Sequence, residues 1–141
     1  MDGDDFHGCK VALFFGDRLL AHLRDHSPGI AYPGHWDLPG GGREGAETPE
    51  ETLARELEEE FGLEWSRATE LWRVRSPAVH QPDAHVWFFV ARMAEAEVAN
   101  ILFGDEGDGW ALMPLGRFLS LDRVVPSHAP RLRTWRAETG G

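Results

Sequence analysis

The sequence predicts an α/β/α sandwich built on a mixed sheet, and three observations carry that expectation. A helix with start and stop signals at both ends stands in the middle of the chain, from Thr48 to Gly62. A second helical stretch, Ser127 to Ala137, lies near its end. Between and before them run short apolar or alternating segments of strand type. Strands interleaved with two separated helices place a helix on each face of one sheet.

Length and charge set the bounds. With 141 residues and 42% hydrophobic content, one domain spanning residues 1–141 can bury a real core. The net charge of −10 is unevenly spread. Glu44 to Glu64 holds nine acids against Arg55, whereas Arg117 to Glu138 holds five arginines against two acids. Acid concentrated on the central helix argues against a nucleic-acid partner, which needs a basic face. Cys9 is the lone cysteine, expected as a small buried apolar residue of a reduced compartment. The start, Met1-Asp2-Gly3-Asp4-Asp5, is acidic where a secretory leader is basic, and no apolar run approaches the roughly 20 residues of a membrane span. A cytoplasmic protein without a membrane partner is the expectation.

Residues 1–8 read as a frayed acidic lead. Cys9 to Phe15 carries the β-rich run Val11-Ala12-Leu13-Phe14-Phe15, Gly16-Asp17 the turn, and Arg18 to Arg24 the returning strand of a hairpin. Asp25 to Gly34, with Ser27-Pro28-Gly29 and Pro33-Gly34, is a loop, and Trp36-Asp37-Leu38 a short strand. Ala68 to Arg75 reads as a strand with Leu71, Arg73 and Arg75 on one side and Trp72 and Val74 on the other. Ser76 to Ala84 is a loop. His85 to Met93 contains the most apolar run, Val86 to Val90, and should be a central strand buried on both faces. Met93 to Ala99 reads ambiguously. The acidic glycine loop Gly104 to Gly109 leads into a strand at Trp110 to Met113. Leu115 to Leu121 is then a short helix. In the last helix Pro130 fits only within the first turn, Leu132 and Trp135 face the core, and Arg131, Arg133 and Arg136 face mainly outward.

The chemistry concentrates on the central helix. Thr48, Pro49 and Glu51 compose a capping-box start, and Gly62 supplies the left-handed stop. At about 100° per residue Leu53, Ala54, Leu57 and Phe61 form one stripe, with Glu56, Glu59 and Glu60 on the stripe beside it. Three carboxylates on a narrow face repel one another unless a cation stands between them, and hard oxygen donors suit Mg²⁺ or Mn²⁺. Gly40, Gly42 and Gly45 also satisfy a dinucleotide-binding Gly-x-Gly-x-x-Gly spacing. That reading fails because Glu44 and Glu47 intervene and the helix begins later, so an anion would meet carboxylates rather than a helix N-terminus.

Gly41, five residues, Glu47, seven residues, Arg55-Glu56-Leu57, one residue, Glu59-Glu60, one residue, Gly62-Leu63: this stretch resembles the Nudix box at all nine defined positions. Trp36-Asp37-Leu38-Pro39-Gly40-Gly41 resembles the family's usual lead-in. The resemblance implies the Nudix α/β/α sandwich and a metal-dependent hydrolase in which water attacks a phosphorus of a nucleoside diphosphate linked to another group. By position in the box, Glu59 and Glu60 match principal metal ligands, the Gly40 carbonyl a backbone ligand, and Glu56 a further ligand or the base. Arg55 is expected to orient a carboxylate, with Glu47 as that partner or as a water-mediated ligand. Catalytic duty is thus assigned to Glu56, Arg55 and Glu59, and metal binding to Gly40, Glu56, Glu59 and Glu60. Many members add a downstream acid, for which Asp105, Glu106 and Asp108 are candidates and Glu106 is chosen.

The substrate is less legible. Trp36, at the mouth of the glycine loop, is the chosen stacking surface over Trp72, Trp87 and Phe88, and Arg24 the chosen phosphate contact among Arg18, Arg24, Arg73 and Arg75. Pro77 is about one residue off the proline of ADP-ribose hydrolases, and Tyr32 is the one tyrosine, so the tyrosine of dinucleoside polyphosphate hydrolases is missing. Overall likeness to small MutT-type members favours a nucleoside triphosphate, with a sugar nucleotide or dinucleoside polyphosphate as the alternative. A catalytically idle ligand sensor is the reading from another class, disfavoured because every box carboxylate is present. The isomerase branch would need an additional Cys or Glu pair around an apolar pocket, for which Cys9 is too early and alone. Arg133, Trp135 and free strand edges could serve a homodimer.

Overall fold

A computed structural model describes residues 5–78 and 84–140. Strands β1 (Gly8–Phe15) and β2 (Arg18–Leu23) form the expected hairpin around Gly16, whose φ of 66° suits a residue without a Cβ. They pair only next to the turn, at Phe14 with Leu19 and Phe15 with Arg18, and then part like the arms of a V. The opening is filled by the segment that follows the Asp25–Gly34 loop. β3 (Trp36–Asp37) pairs with the end of β2, and β4 (Gly40–Gly42) pairs with the start of β1, both antiparallel. This wedge brings the glycines against the sheet's centre.

The remaining strands extend both arms. β5 (Thr69–Pro77) pairs antiparallel with β6 (His85–Met93), which runs parallel to β1 along its full length. β7 (Gly109–Pro114) pairs antiparallel with β2 throughout. The sheet is therefore mixed, with seven strands among the described residues. As expected of a strand covered on both faces, β6 buries Phe88 and Phe89 completely although they point to opposite sides.

Helix α1 (Pro49–Phe61) lies on one face. Thr48 Oγ1 accepts from Glu51 N at 3.1 Å and Glu51 Oε1 accepts from Thr48 N at 2.9 Å, closing the capping box. Gly62 ends the helix with φ 65°. Leu53, Leu57 and Phe61 are fully buried against Val11, Leu13, Phe15 and Phe89, each worth about 2 kcal/mol of transfer free energy. That anchorage fixes the rotation of the helix, so the neighbouring stripe faces β4. The other face carries α2 (Leu115–Ser120) and α3 (His128–Thr139), with Phe118, Leu132 and Trp135 packed on Ala12, Phe14, Phe88 and Val90. The α/β/α layering is the one the sequence predicts.

Four details differ or are resolved. The chain is not frayed up to residue 8: Phe6 is buried in the core beneath α1 with the Arg43 guanidinium 4.4 Å above its ring, and His7 N donates to His85 O at 2.6 Å. The acidic lead itself falls on residues 1–4, outside the described residues. Trp135 packs on Phe14 at 5.6 Å between ring centroids, which removes it from any dimer surface. The ambiguous stretch after β6 is a 3₁₀ segment, Glu95–Asn100. The loop expected at Ser76 to Ala84 begins only after β5 ends at Pro77, and residues 79–83 lie outside the described residues. No described helix is long and apolar enough to cross a membrane.

Candidate active site

The glycines of β4 and the acid stripe of α1 meet in one cavity of about 490 Å³. Glu56, Glu60, Gly40, Gly41 and Glu106 all line it, as do Lys10 and Arg24. Glu60 is buried, and its Oε1 accepts a hydrogen bond from Gly40 N at 3.0 Å. Burial pushes its carboxyl up to about 7, because removing water penalises the charged form. Glu56 is raised too, again chiefly by burial, against the pull of the Arg55 charge. Two carboxyls with raised affinity for a proton thus share one chamber.

Arg55 is the hub of the acid stripe. Its Nε donates to Glu47 Oε2 at 2.8 Å and Nη2 to Glu47 Oε1 at 3.1 Å, a two-pronged pairing that suits a planar guanidinium. Nη2 also donates to Gly42 O at 2.7 Å, while Nη1 reaches Glu56 Oε2 at 3.0 Å and Glu59 Oε1 at 3.4 Å. Glu47 is further held by Thr52 Oγ1 at 2.9 Å and the amide of Glu44 at 3.0 Å. The Arg55 hydrogen bonds, with that amide, pull the Glu47 carboxyl down to about 2. Arg55 therefore joins helix, glycine strand and the loop between them.

The other expected residues fall at different distances from this centre. Glu59 does not line the cavity; its side chain is 57% exposed and reaches the site through Arg55. Glu106 stands on the cavity wall, with its carbonyl bonded to His22 Nε2 at 3.0 Å. Arg24 lines the cavity while donating to Ala31 O at 2.8 Å and Asp37 Oδ2 at 3.1 Å. Trp36 lines neither this cavity nor its neighbour; it is half-buried on the core beneath α2 and α3, because its strand position turns it inward. Among the described residues, no three His, Cys, Asp or Glu side chains already form a closed metal cage.

A second, mostly apolar cavity of about 280 Å³ adjoins the first and shares Lys10, Arg24, Asp37, Gly41 and Gly42 with it. Asp37 is the keystone of the shared wall. Burial would raise its carboxyl, but Lys10 and a hydrogen bond from His128 hold it well below the usual carboxylate range. His128 Nε2 donates to Asp37 Oδ1 at 2.5 Å; burial lowers the affinity of this imidazole for a second proton, so its Nδ1, which has no partner among the described residues, is an acceptor. Sequence reasoning assigned no role to Lys10, His22 or His128. Lys10 alone carried a readable signal, as the one charge in the apolar run Cys9 to Phe15.

A family model described as NUDIX domain matches residues 11–135. The chain belongs to the Nudix family. It is 36% identical over 117 residues to an RNA pyrophosphohydrolase of Hahella chejuensis, covering 68% of this chain and 73% of that one. It is 45% identical over 53 residues to an 8-oxo-dGTP diphosphatase of Proteus vulgaris, a match spanning 38% of this chain and 45% of that one. A crystallised Nudix hydrolase from M. smegmatis shares the fold, with a TM-score of 0.75 at 22% identity over 96% of this chain and 88% of the other. The chain is a Nudix hydrolase, and the cavity under β4 is its candidate active site.

At two glycines of β4 an added Cβ would strike the walls of this Nudix hydrolase's candidate site. A Cβ on Gly40, whose φ is 134°, would stand 2.1 Å from Cys9 O. A Cβ on Gly41 would stand 2.4 to 2.7 Å from the Glu56 carboxylate, the movable end of a side chain. Gly41→Ala is accordingly expected to fold but to displace Glu56, lowering kcat by roughly 10²-fold with Tm nearly unchanged; a steady-state assay beside a thermal melt checks both halves.

Proposed function

We propose that this Nudix hydrolase is a divalent-metal-dependent pyrophosphohydrolase of the cytoplasm that cleaves a nucleoside triphosphate to the monophosphate and pyrophosphate. The observation that carries the reading is the pair of carboxyls, Glu56 half-buried and Glu60 buried, that share a chamber adjoining an apolar one. The hard oxygens of Glu56 and Glu60, with the Gly40 carbonyl and Glu106, fit Mg²⁺ or Mn²⁺ far better than a softer metal. When bound, the metal neutralises phosphate charge and acidifies water.

The protein's own groups do the rest. Glu60 is fixed by the Gly40 amide, and Glu56 by Arg55, so neither has to reorganise as negative charge develops. Glu56, with its raised carboxyl, is the group suited to take a proton from the attacking water. Glu59, exposed and 3.4 Å from Arg55 Nη1, would add a further carboxylate to the metal's ligands. Arg24 faces the phosphates, and the apolar cavity accepts the base.

A panel of nucleoside triphosphates including 8-oxo-dGTP, sugar nucleotides, dinucleoside polyphosphates and a 5′-triphosphorylated oligoribonucleotide, each with Mg²⁺, tests the reading. Pyrophosphate and monophosphate released from a free nucleotide is the expected result. Turnover of the oligoribonucleotide alone would replace the substrate, in line with the relative of Hahella chejuensis; silence across the panel would overturn the activity.

A further inference from the structure

We infer that Lys10, which lies outside the Nudix box, is a phosphate-binding residue at the crossing between the two cavities. This rests on the reading of one cavity as the base site and the other as the diphosphate site. Lys10 stands in β1 opposite Gly40 on one side and Phe88 on the other, and is the one basic residue of that strand. Its Nζ donates to Asp37 Oδ2 at 3.0 Å and to Leu38 O at 3.1 Å. An ammonium has three N–H donors, so one is left. The side chain is 25% exposed and contributes to the walls of both cavities. A nucleotide with its base in one and its phosphates in the other must pass it.

Two cations share the Asp37 carboxylate. Asp37 brings one negative charge, whereas Lys10 and Arg24 bring two positive ones, both within 3.1 Å of the same oxygen. Lys10 is not the sole partner of Asp37: Oδ1 accepts from Leu38 N at 2.7 Å and from His128, and Arg24 shares Oδ2 at 3.1 Å. Arg24 is also tied to Ala31 O, which holds its guanidinium against the loop. Lys10, which also shares the acidic cavity with Glu56 and Glu60, is held in place by two fixed acceptors before any ligand arrives. A pre-positioned ammonium with a spare donor is suited to an oxygen of the phosphate nearest the sugar.

Binding of dGMP and of deoxyguanosine to the full chain, measured by calorimetry without divalent metal, isolates the contact. Wild-type protein is expected to bind dGMP more tightly than deoxyguanosine, and Lys10→Met to lose about tenfold for dGMP with less than twofold change for deoxyguanosine. Because Lys10→Met leaves Asp37 short of a partner and can fail to fold, Lys10→Met/Asp37→Asn is made alongside, removing both charges together. The double variant is expected to show the same selective loss. Recovery of dGMP affinity in it would show that Lys10 only balances Asp37 and would overturn the inference. Equal losses for nucleotide and nucleoside, or a wild type that binds both alike, would overturn it too. If the selective loss is found while the substrate panel is silent, the phosphate contact stands and the hydrolytic reading falls.

Discussion

Replacing Glu60 by Gln is expected to stabilise the metal-free protein at pH 8 while lowering turnover by roughly 10³-fold, the equivalent of several kcal/mol of transition-state stabilisation. The stability half follows from linkage. A carboxyl raised from 4.5 to about 7 binds a proton more tightly folded than unfolded. Its contribution to stability is full below pH 4.5 and is lost as pH rises through about 7, an effect of at most about 3 kcal/mol. Gln at position 60 keeps an oxygen for the Gly40 amide and has no charge to desolvate. Thermal melts of wild type and variant from pH 4 to 8 should diverge above pH 5, with the variant the more stable. Mg²⁺ should then raise the wild-type Tm and leave the variant's unchanged. Glu59→Gln, at an exposed side chain, should lose activity without the metal-free gain. A Glu60→Gln protein less stable than wild type at pH 8 would mean that the carboxylate is not the strained group described here.

Arg55→Ala is expected to cost roughly 10²-fold or more in kcat, with Arg55→Lys recovering little of it. The guanidinium contacts Glu47, Glu56, Glu59 and the Gly42 carbonyl at once, with donors at 2.7 to 3.4 Å. A point charge on a flexible stem cannot hold four acceptors on two elements in one geometry. Loss of Arg55 frees the Glu56 carboxylate and removes the charge that opposes its burial, so the alkaline-rising limb of the pH–rate profile should move upward in pH. The helix itself is secured elsewhere, by its capping box and by Leu53, Leu57 and Phe61, and far-ultraviolet circular dichroism should be unchanged. An Arg55→Lys enzyme with wild-type kcat would reduce Arg55 to a surface counter-charge.

Local signals and long-range ones differ in how well the sequence reports them. The central helix could be bounded from residues alone because a cap, a first-turn proline and a terminal glycine act within a few positions. Glu56 and Glu60 could be placed on one face for the same reason. What put them in a chamber is not local: it is the parting of β1 and β2 and the insertion of Trp36–Gly42 between them, which no periodicity announces. Trp36 was legible as an aromatic beside the glycines, but its inward face was decided by pairing with Leu23, a partner across a loop. Asp37 and His128 are 91 residues apart, and the isolated sequence around either gives no sign of the other. Lys10 betrayed itself only as a charge in an apolar strand, which is a question rather than an answer.

The loop from Asp25 to Gly34 leaves and re-enters the sheet through a narrow neck, where Arg24 N donates to His35 O and Gly34 N to Asp25 O, both at 2.9 Å. Its residues nevertheless reach both chambers, Asp25 and Ile30 the acidic one, Ala31 and Tyr32 the apolar one. With the stem tied off, doubling the length of such a loop adds only about 0.6 kcal/mol of closure entropy. The groups proposed for hydrolysis sit on β4 and α1, beyond that stem. Descent or engineering can therefore trade one loop for another as a cartridge, changing what enters while the machinery that cuts it is inherited intact.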